Sequence, residues 1–560
     1  MFKAVFTFLL TLFVFTSAFA QQAAIAMPDK YSAKTATNIL NKGGNAIDAA
    51  VASAFVLAVT YPEAGNLGGG GFMTIFADQT YFLDYREKAP LAAYRDMYLD
   101  KKKNVIANKS LVGYQASGVP GTVAGMWEAH QKLGKLPWAE LLQPAIIFAE
   151  KGFKVPKELQ HTAKWYQKWI ANKSEQPLNF KQYFGGLKQG EIFKQPILAK
   201  TLKRIATSGM RDFYTGKTAT YIAEQMQKHG GLITKKDLAS YKVKWRKPVV
   251  ANWLGYQVVS APPPSSGGVA IIQLLKMKAL LDEQFELAKI KSLKQGLDEG
   301  VVEAHFYAEL EKRVYADRAK YLGDPDFVKV PVKKLISNDY IKQRAKEVLF
   351  DEISATENVE AGLPESFETT HFSIVDFEGN AVSNTYTLNM PFGSGVVIEK
   401  AGFLMNDEMD DFSTKPNVAN VFGVVGGKSN EVAPEKRMLS SMSPTILLKS
   451  GQVDTVVGTP GGSSIITSVF QTIVNIKQKN MSAQQAVDAT RVHHQLLPKD
   501  VIMYNSGLAD EVKEELEVMG YTLKRNNYLG DVQVVVKQNG VWQAASDKRG
   551  RGVAKVLQKP

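Results

Sequence analysis

In the stretch ESFETTHFSIVDFEGN, residues 365 to 380, Thr369, Thr370 and His371 stand where an acidic run turns into a β-pattern. A threonine hydroxyl becomes a nucleophile only beside a base. His371, two residues on, shares the face of Thr369 on a strand but is not evidently aimed at it. The other known solution is an N-terminal threonine whose own α-amine takes the hydroxyl proton. Such an amine titrates near about 7.7 to 8.0, within reach at neutral pH. That chemistry requires a cut just before Thr369, where the acidic run ends. Read in isolation, TTHFSIV is also an ordinary strand of β-branched residues with an exposed start.

The residues around Thr369 predict a hairpin. Thr369 to Ile374 and Ala381 to Asn389 read as two strands turning through Phe377-Glu378-Gly379-Asn380. Pairing Asp376 with Ala381 sets Thr369 opposite Leu388, and a slip of one residue leaves Thr387 and Asn389 flanking it. Thr387 and Asn389 share a face by their i, i+2 spacing, so a small polar cluster is expected at one strand end. Farther upstream, FMTIFADQTYFLDYRE alternates as a hairpin turning near Asp78, which places Arg86 at or just past a strand end. The strand VDTVVG breaks at Thr459-Pro460-Gly461-Gly462-Ser463-Ser464 and continues as a helix, and Ser482 to Gln485 opens another with a capping box. Residues 121 to 349 read as mainly helical, with VEAHFYAELEKRVYADRAKYL a clear amphipathic case. Residues 351–368 hold six acids and no base and read as a mobile surface loop, and 413–439 forms a second long loop.

The chain has 560 residues, 45% hydrophobic and 22% charged, enough for a large globular core. The 68 basic residues against 55 acidic give +13, but without the basic-aromatic interleaving of nucleic-acid grooves, so no nucleic-acid partner is expected. A basic surface still suits small anionic substrates. Residues 1–20 have the form of a signal peptide. Lys3 begins it, an apolar run from Ala4 to Phe15 follows, and Ala18-Phe19-Ala20 matches a signal-peptidase site, so the mature chain is expected to start at Gln21. The alternative, an uncleaved anchor helix, would be short for a span. No cysteine is present, which excludes a thiol nucleophile and suits export to a bacterial periplasm. Ala46 to Tyr61 is too short to cross a membrane, contains Asp48, and reads as a buried core helix.

Several motifs fail on inspection. Gly427-Lys428-Ser429 has Phe422 where a P-loop needs glycine, and glycines 68 to 71 do not form G-x-G-x-x-G. No G-x-S-x-G elbow occurs. His493 and His494 are adjacent and cannot both face one metal from a regular helix, and neither a metal nor any other cofactor is expected.

The motifs TTHFSIVD, NTYTLN, NDEMDDFS, LSSMSPT and GTPGGS, with NLGGGGFM and DYREKAP far upstream, resemble the gamma-glutamyltransferase family of exported N-terminal-nucleophile hydrolases. The likeness runs from about residue 25 to the C-terminus in the family's motif order. It implies an α/β fold, a four-layer αββα sandwich, built jointly by two chains cut from one precursor: a large subunit 21–368 and a small subunit 369–560. It also implies cleavage between Glu368 and Thr369, with Thr369 as nucleophile and Thr387 as the threonine that supports it and assists processing. Arg86, Ser440 and Ser441 match residues that grip a substrate α-carboxylate. Asn389, Glu408 and Asp411 match those around an α-ammonium, which needs acceptors and negative charge. Gly461 and Gly462 match an oxyanion hole, and their dihedrals also suit a turn.

The activity implied is transfer of the γ-glutamyl group of glutathione and other γ-glutamyl compounds to water, or to amino acids and peptides, through an acyl-enzyme. Loop 413–439 matches a lid that shields that intermediate. Phe422 stands where several relatives have tyrosine, and Met438 replaces a common proline, so gating and the balance of hydrolysis and transfer are open. Two rival readings are a relative with another acyl group, such as a cephalosporin acylase or a poly-γ-glutamate depolymerase, and an inactive periplasmic binding protein.

Overall fold

A computed structural model of the chain describes residues 21–355, 369–413 and 427–560, with two stacked antiparallel sheets at its centre. The first contains β1 (Gln22–Met27), β2 (Gly70–Phe76), β3 (Thr80–Asp84), β4 (Lys244–Arg246), β7 (Thr370–Val375), β8 (Ala381–Thr387) and β13 (Val553–Gln558), in the order β13-β1-β7-β8-β2-β3-β4. The second contains β5 (Val249–Trp253), β6 (Tyr256–Ser260), β9 (Thr445–Lys449), β10 (Gln452–Gly458), β11 (Gln533–Gln538) and β12 (Val541–Ser546), in the order β12-β11-β10-β9-β6-β5. Helices α1 (Lys30–Asn41) and α2 (Ala46–Thr60) share an apolar core with the first sheet. Helices α3 (Gly267–Lys294), α4 (Glu299–Tyr321) and α5 (Ser464–Lys477) share another with the second. This is the expected αββα sandwich.

The layering follows from side-chain parity. Every residue of β7 is buried, because both faces of its sheet are covered. Phe372 and Ile374 pack into the helix-side core, while Val375 joins Ala24, Ala381, Ile446 and Val535 between the sheets. Toward the start of β7 the inter-sheet face becomes polar. Ser373 Oγ donates to Gln533 O at 3.0 Å and Ser383 Oγ to Val457 O at 3.1 Å, each tying one sheet to the other. Thr369 has the same parity and so begins its strand on that polar face.

Helix α2 is buried at all fifteen positions, as read from its sequence. Asp48, the one charge in it, completes a capping box with Asn45, each side chain accepting from the other's backbone N–H at 2.9 and 3.0 Å. Helix α4 departs from its amphipathic reading. Glu309, Glu311, Lys312, Arg313, Asp317 and Arg318 are all buried, with Glu309 held between Lys312 (3.0 Å) and Arg313 (2.7 Å). Buried charges persist when paired and hydrogen-bonded, and the period of the sequence does not show whether a second layer covers the polar face. The stretch 121–349 also contains β4, β5 and β6 among its helices, and these short strands complete one edge of each sheet.

The Thr hairpin adopts the slipped register. Ala381 pairs with Val375 and Tyr386 with Thr370, so Thr387 rather than Leu388 falls opposite Thr369. Asp376 belongs to the turn, its N–H bonded to Asn380 O at 2.9 Å and its carboxylate accepting from Glu378 N and Asn380 N. Residues 1–20, 356–368 and 414–426 lie outside the described residues. The expected signal peptide, most of the acidic loop, Glu368, Phe422 and much of the expected lid fall there.

His371 is structural. Its Nδ1 meets Thr385 Oγ1 at 2.8 Å and its Nε2 meets Ser373 Oγ at 3.0 Å, while Gly458 leaves room for the ring. A Cβ on Gly458 would lie 2.3 Å from His371 Cε1. Burial pushes the imidazole pKa down to about 3, so it stays neutral at working pH. Its folded pKa lies below the unfolded one near about 6.5, so the folded state loses stability as pH falls from there toward 3. In urea unfolding, the stability of wild type relative to His371→Asn should shrink by about 1.4 kcal/mol per pH unit between pH 6 and 4. A difference independent of pH would contradict a neutral buried histidine.

Candidate active site

Eleven residues line one narrow pocket at the end of the sandwich, and nine of the ten side chains and glycines singled out above are among them: Arg86, Thr369, Thr387, Asn389, Glu408, Asp411, Ser440, Ser441 and Gly462. Met442 and Ile465 supply its apolar wall. Gly461 lies just behind rather than on the lining.

Thr369 precedes β7 with its Oγ1 3.5 Å from Thr387 Oγ1, at the limit of a hydrogen bond. Thr387 Oγ1 also accepts from Asn389 N at 2.8 Å. Asn389 has a φ of 81° in the left-handed region, a conformation that Asn tolerates better than most residues. That turn sends its Nδ2 to Asp407 O at 3.1 Å while the next N–H, of Met390, donates to Asp407 Oδ1 at 3.0 Å. The carbonyl of Thr387 accepts from Asn66 Nδ2 at 2.9 Å, and Asn66 Oδ1 receives Gly69 N and Thr122 Oγ1. The glycine run explains itself here. A Cβ on Gly69 would sit 2.1 Å from Thr387 O, and one on Gly68 2.1 Å from Leu404 O. Backbone must pass backbone at this point, and only glycine allows it.

Arg86 follows β3 by two residues and is fixed by its own main chain. Its N–H donates to Asp84 Oδ1 at 2.9 Å and its carbonyl accepts from Tyr241 at 2.8 Å. The buried guanidinium puts Nη1 2.6 Å from Glu408 and Nη2 2.5 Å from Asp411, while Glu87 lies 3.6 Å from Nη1. Burial pushes the carboxyls of Glu87 and Glu408 up, against the pull of Arg86. The same carboxylates hold Arg86 above its ordinary value, so it stays charged. The 3-10 turn Glu408–Asp411 is held by Asn406, whose Oδ1 accepts from Glu408 N at 3.1 Å and Gly118 N at 2.8 Å.

Ser440 and Ser441 follow Leu439, whose carbonyl accepts from Arg86 Nη2 at 3.4 Å. Ser440 Oγ accepts from Met442 N at 3.1 Å and Ser441 Oγ from Arg318 Nη2 at 3.2 Å, so each hydroxyl proton is directed elsewhere than to these donors. The Gly461 φ of 138° and Gly462 φ of 57° are conformations that favour glycine, and they turn β10 into α5. Among the described residues, neither glycine gives its N–H to a protein acceptor. Chemically, the pocket combines a hydroxyl, backbone donors at a helix start, a guanidinium with two serines, and carboxylates within reach of a cation. That set suits acyl transfer from a donor bearing both an anionic and a cationic group.

Sequence reasoning missed Asn66, Asn406, Glu87 and Arg318. Asn66, Glu87 and Asn406 lie within the motifs NLGGGGFM, DYREKAP and NDEMDDFS, and that membership was their one visible signal. Arg318 lies in a helix far from the others in sequence, where nothing marked it. Met438, noted as a departure, is buried and offers its carbonyl to Arg86 Nε at 3.4 Å.

A family model described as Gamma-glutamyltranspeptidase matches residues 32–557. The chain is 56% identical over 550 residues to the glutathione hydrolase proenzyme of Pseudomonas aeruginosa, covering 97% of this chain and 96% of that protein. It is 44% identical to the glutathione hydrolase proenzyme of Escherichia coli, over 96% and 92% of the two. Among solved structures, cephalosporin acylase from Bacillus halodurans superimposes with a TM-score of 0.81 at 25% identity over 96% of each chain. A chain of gamma-glutamyltranspeptidase from Pseudomonas nitroreducens complexed with L-DON is 54% identical, covers 60% of this chain and 96% of itself, and has a TM-score of 0.55. The motifs, the fold and these likenesses converge, and the chain belongs to the gamma-glutamyltranspeptidase family.

Proposed function

We propose that the chain is an exported, self-cleaving gamma-glutamyltransferase that acts on glutathione and other γ-glutamyl compounds through an acyl-enzyme on Thr369. The observation that carries this reading is the convergence of Thr369, Thr387, Gly462 and the Arg86–Ser440–Ser441 and Asn389–Glu408–Asp411 groups on one pocket. In processing, Thr369 Oγ1 attacks the Glu368 carbonyl and displaces the Thr369 nitrogen, which takes up the hydroxyl proton, and water hydrolyses the resulting ester to leave Thr369 with a free α-amine. That amine takes the Thr369 hydroxyl proton, and Oγ1 attacks the γ-glutamyl carbonyl. Backbone N–H groups of Gly461 and Gly462 receive the oxyanion. Collapse returns the proton to the departing amine and leaves the γ-glutamyl ester, which water or the amine of an amino acid or peptide then resolves.

Asp411 occupies Arg86 Nη2, with its side chain 18% exposed at the pocket surface. A zwitterionic donor would exchange that contact, its carboxylate taking the guanidinium and the serine hydroxyls while its ammonium takes Asp411, Glu408 and the Asn389 side-chain oxygen. The two-chain product, 21–368 and 369–560, is supported by the proenzyme names of the relatives and by solved family chains spanning about three fifths of this one. Export rests on residues 1–20 as read from sequence, and no helix among the described residues is long and apolar enough to cross a membrane.

The cephalosporin acylase likeness favours a second reading, with the same nucleophile and a glutaryl donor. The two differ at the donor α-carbon, where glutaryl keeps the carboxylate but lacks the ammonium group. Purified enzyme should release aniline from a γ-glutamyl anilide about 10⁴-fold faster, in kcat/KM, than it cleaves a glutaryl-β-lactam, the scale expected when buried polar groups lose their partners. The reverse preference would establish the acylase reading.

A further inference from the structure

Two side chains of α4, Tyr315 and Arg318, project from one face of the helix three residues apart, and one bonds Ser463, next to Gly462, while the other bonds Ser441. Tyr315 OH donates to Ser463 O at 2.6 Å. Ser463 directly follows Gly461-Gly462, and the same carbonyl accepts the α5 N–H of Ile466 at 3.2 Å. The Ser463 hydroxyl donates to Gln495 Oε1 at 2.7 Å, which also accepts from His493 Nε2 at 2.8 Å. An amide oxygen only accepts, so the His493 proton resides on Nε2, leaving Nδ1 to accept from Thr467 Oγ1 at 2.9 Å. Both the carbonyl and the hydroxyl of Ser463 are thereby immobilised, and with them the plane of the peptide groups on which an oxyanion would rest.

Arg318 acts on the Ser440–Ser441 segment. Its Nε donates to Ser266 Oγ at 3.1 Å and its Nη2 to Ser441 Oγ at 3.2 Å. Ser266 in turn gives both its hydroxyl (2.8 Å) and its N–H (2.7 Å) to Ser440 O. A guanidinium never accepts, so it fixes Ser441 Oγ as an acceptor on its inner side and turns the hydroxyl proton away from itself. The Ser440 carbonyl is clamped by the same arginine through Ser266.

We propose that α4 is a common brace for the two donor sets of the site, in which Tyr315 positions the Gly461–Gly462 oxyanion turn and Arg318 orients the Ser440–Ser441 clamp. Neither is a catalytic residue, since each acts through another. The proposal rests on the function proposed above, and it makes that function depend on a helix of the 21–368 portion holding loops of the 369–560 portion.

The two contacts serve different steps, so their loss should show in different constants. With a γ-glutamyl anilide, Tyr315→Phe removes one hydrogen bond while keeping the ring, and should lower kcat about tenfold with KM within twofold of wild type. Arg318→Met should raise KM about tenfold with kcat nearly held, and should add little further loss in a Ser441→Ala background. Arg318→Lys keeps a donor and should recover part of the KM. If Arg318→Met does not fold, the lysine variant carries the test, and a KM unchanged by it, or raised additively with Ser441→Ala, overturns the arginine half. Equal losses of kcat and KM in both tyrosine and arginine variants would make α4 merely structural and overturn the brace. Turnover of the γ-glutamyl anilide by wild type checks the underlying function separately, because a failure there precedes any comparison of variants.

Discussion

Thr369→Ala should run on a denaturing gel as one band where the wild type gives two, the smaller about a third of the chain. It should also lose about 10⁴-fold or more in kcat, since the nucleophile and the hydroxyl that would free its base vanish together. The two readouts separate the steps. A serine carries the same hydroxyl on the same backbone, so Thr369→Ser should still cleave, more slowly, and the cleaved product should turn over substrate. Thr387→Ala keeps the nucleophile but removes the hydroxyl 3.5 Å from it and the acceptor for Asn389 N, and should slow both processing and turnover about tenfold, the value of one modest hydrogen bond. A wild-type chain that stays full length and is nevertheless active would sink the α-amine as base. So would loss of activity in His371→Asn with processing intact, because His371, buried and bonded to Thr385 and Ser373, has no path to the reacting atoms in the structure.

Local chemistry proved legible where glycine, proline and alternation punctuate the chain. The hairpin of β2 and β3 turns at Ala77 to Gln79, beside the Asp78 read from sequence, and Arg86 stands two residues past its strand. The break after β10 and the start of α5 lie where Thr459 to Ser464 indicated. The register of β7 with β8 was off by one residue, because Asp376 looks like strand by pattern yet uses its carboxylate to build the turn. A side chain bonding its own loop competes with the ladder, and alternation does not record that. What sequence could not show is which charged faces are covered. The sequence of α4 reads as amphipathic, whereas the fold closes over its polar face with the segments 492–496 and 354, and its charges become partners for Ser354, His494 and Ser441. The pocket itself was recognised through motifs of a family. Alternation and spacing alone brought together Thr369, Thr387 and Asn389, and left Arg86 and the serines as scattered polar residues.

Removing the Arg86 charge should give the next largest loss after the nucleophile, for two separable reasons. The first is local. Glu408 and Asp411 lie 2.6 and 2.5 Å from the guanidinium, and Arg86→Met leaves them buried or half-buried beside Glu87 with no cation. Breaking a buried pair by deleting one partner costs about 3–5 kcal/mol, so the acids must take up protons or the turn Glu408–Asp411 must shift. The second reason concerns the donor, whose α-carboxylate loses its charged partner. Together these should lower kcat/KM for a γ-glutamyl anilide by about 10²- to 10³-fold, mainly through KM. The two contributions part when a 4-aminobutyryl anilide, which keeps the ammonium but not the carboxylate, is assayed beside it. That donor has no α-carboxylate, so the same substitution should reduce its slow turnover by tenfold or less, and the discrimination between donors should collapse. Arg86→Lys keeps a charge but not the fork that spans two carboxylates, and should fall between. An equal loss for both anilides would mean that Arg86 only holds the acidic turn, and that the carboxylate of the donor is read by Ser440 and Ser441 alone.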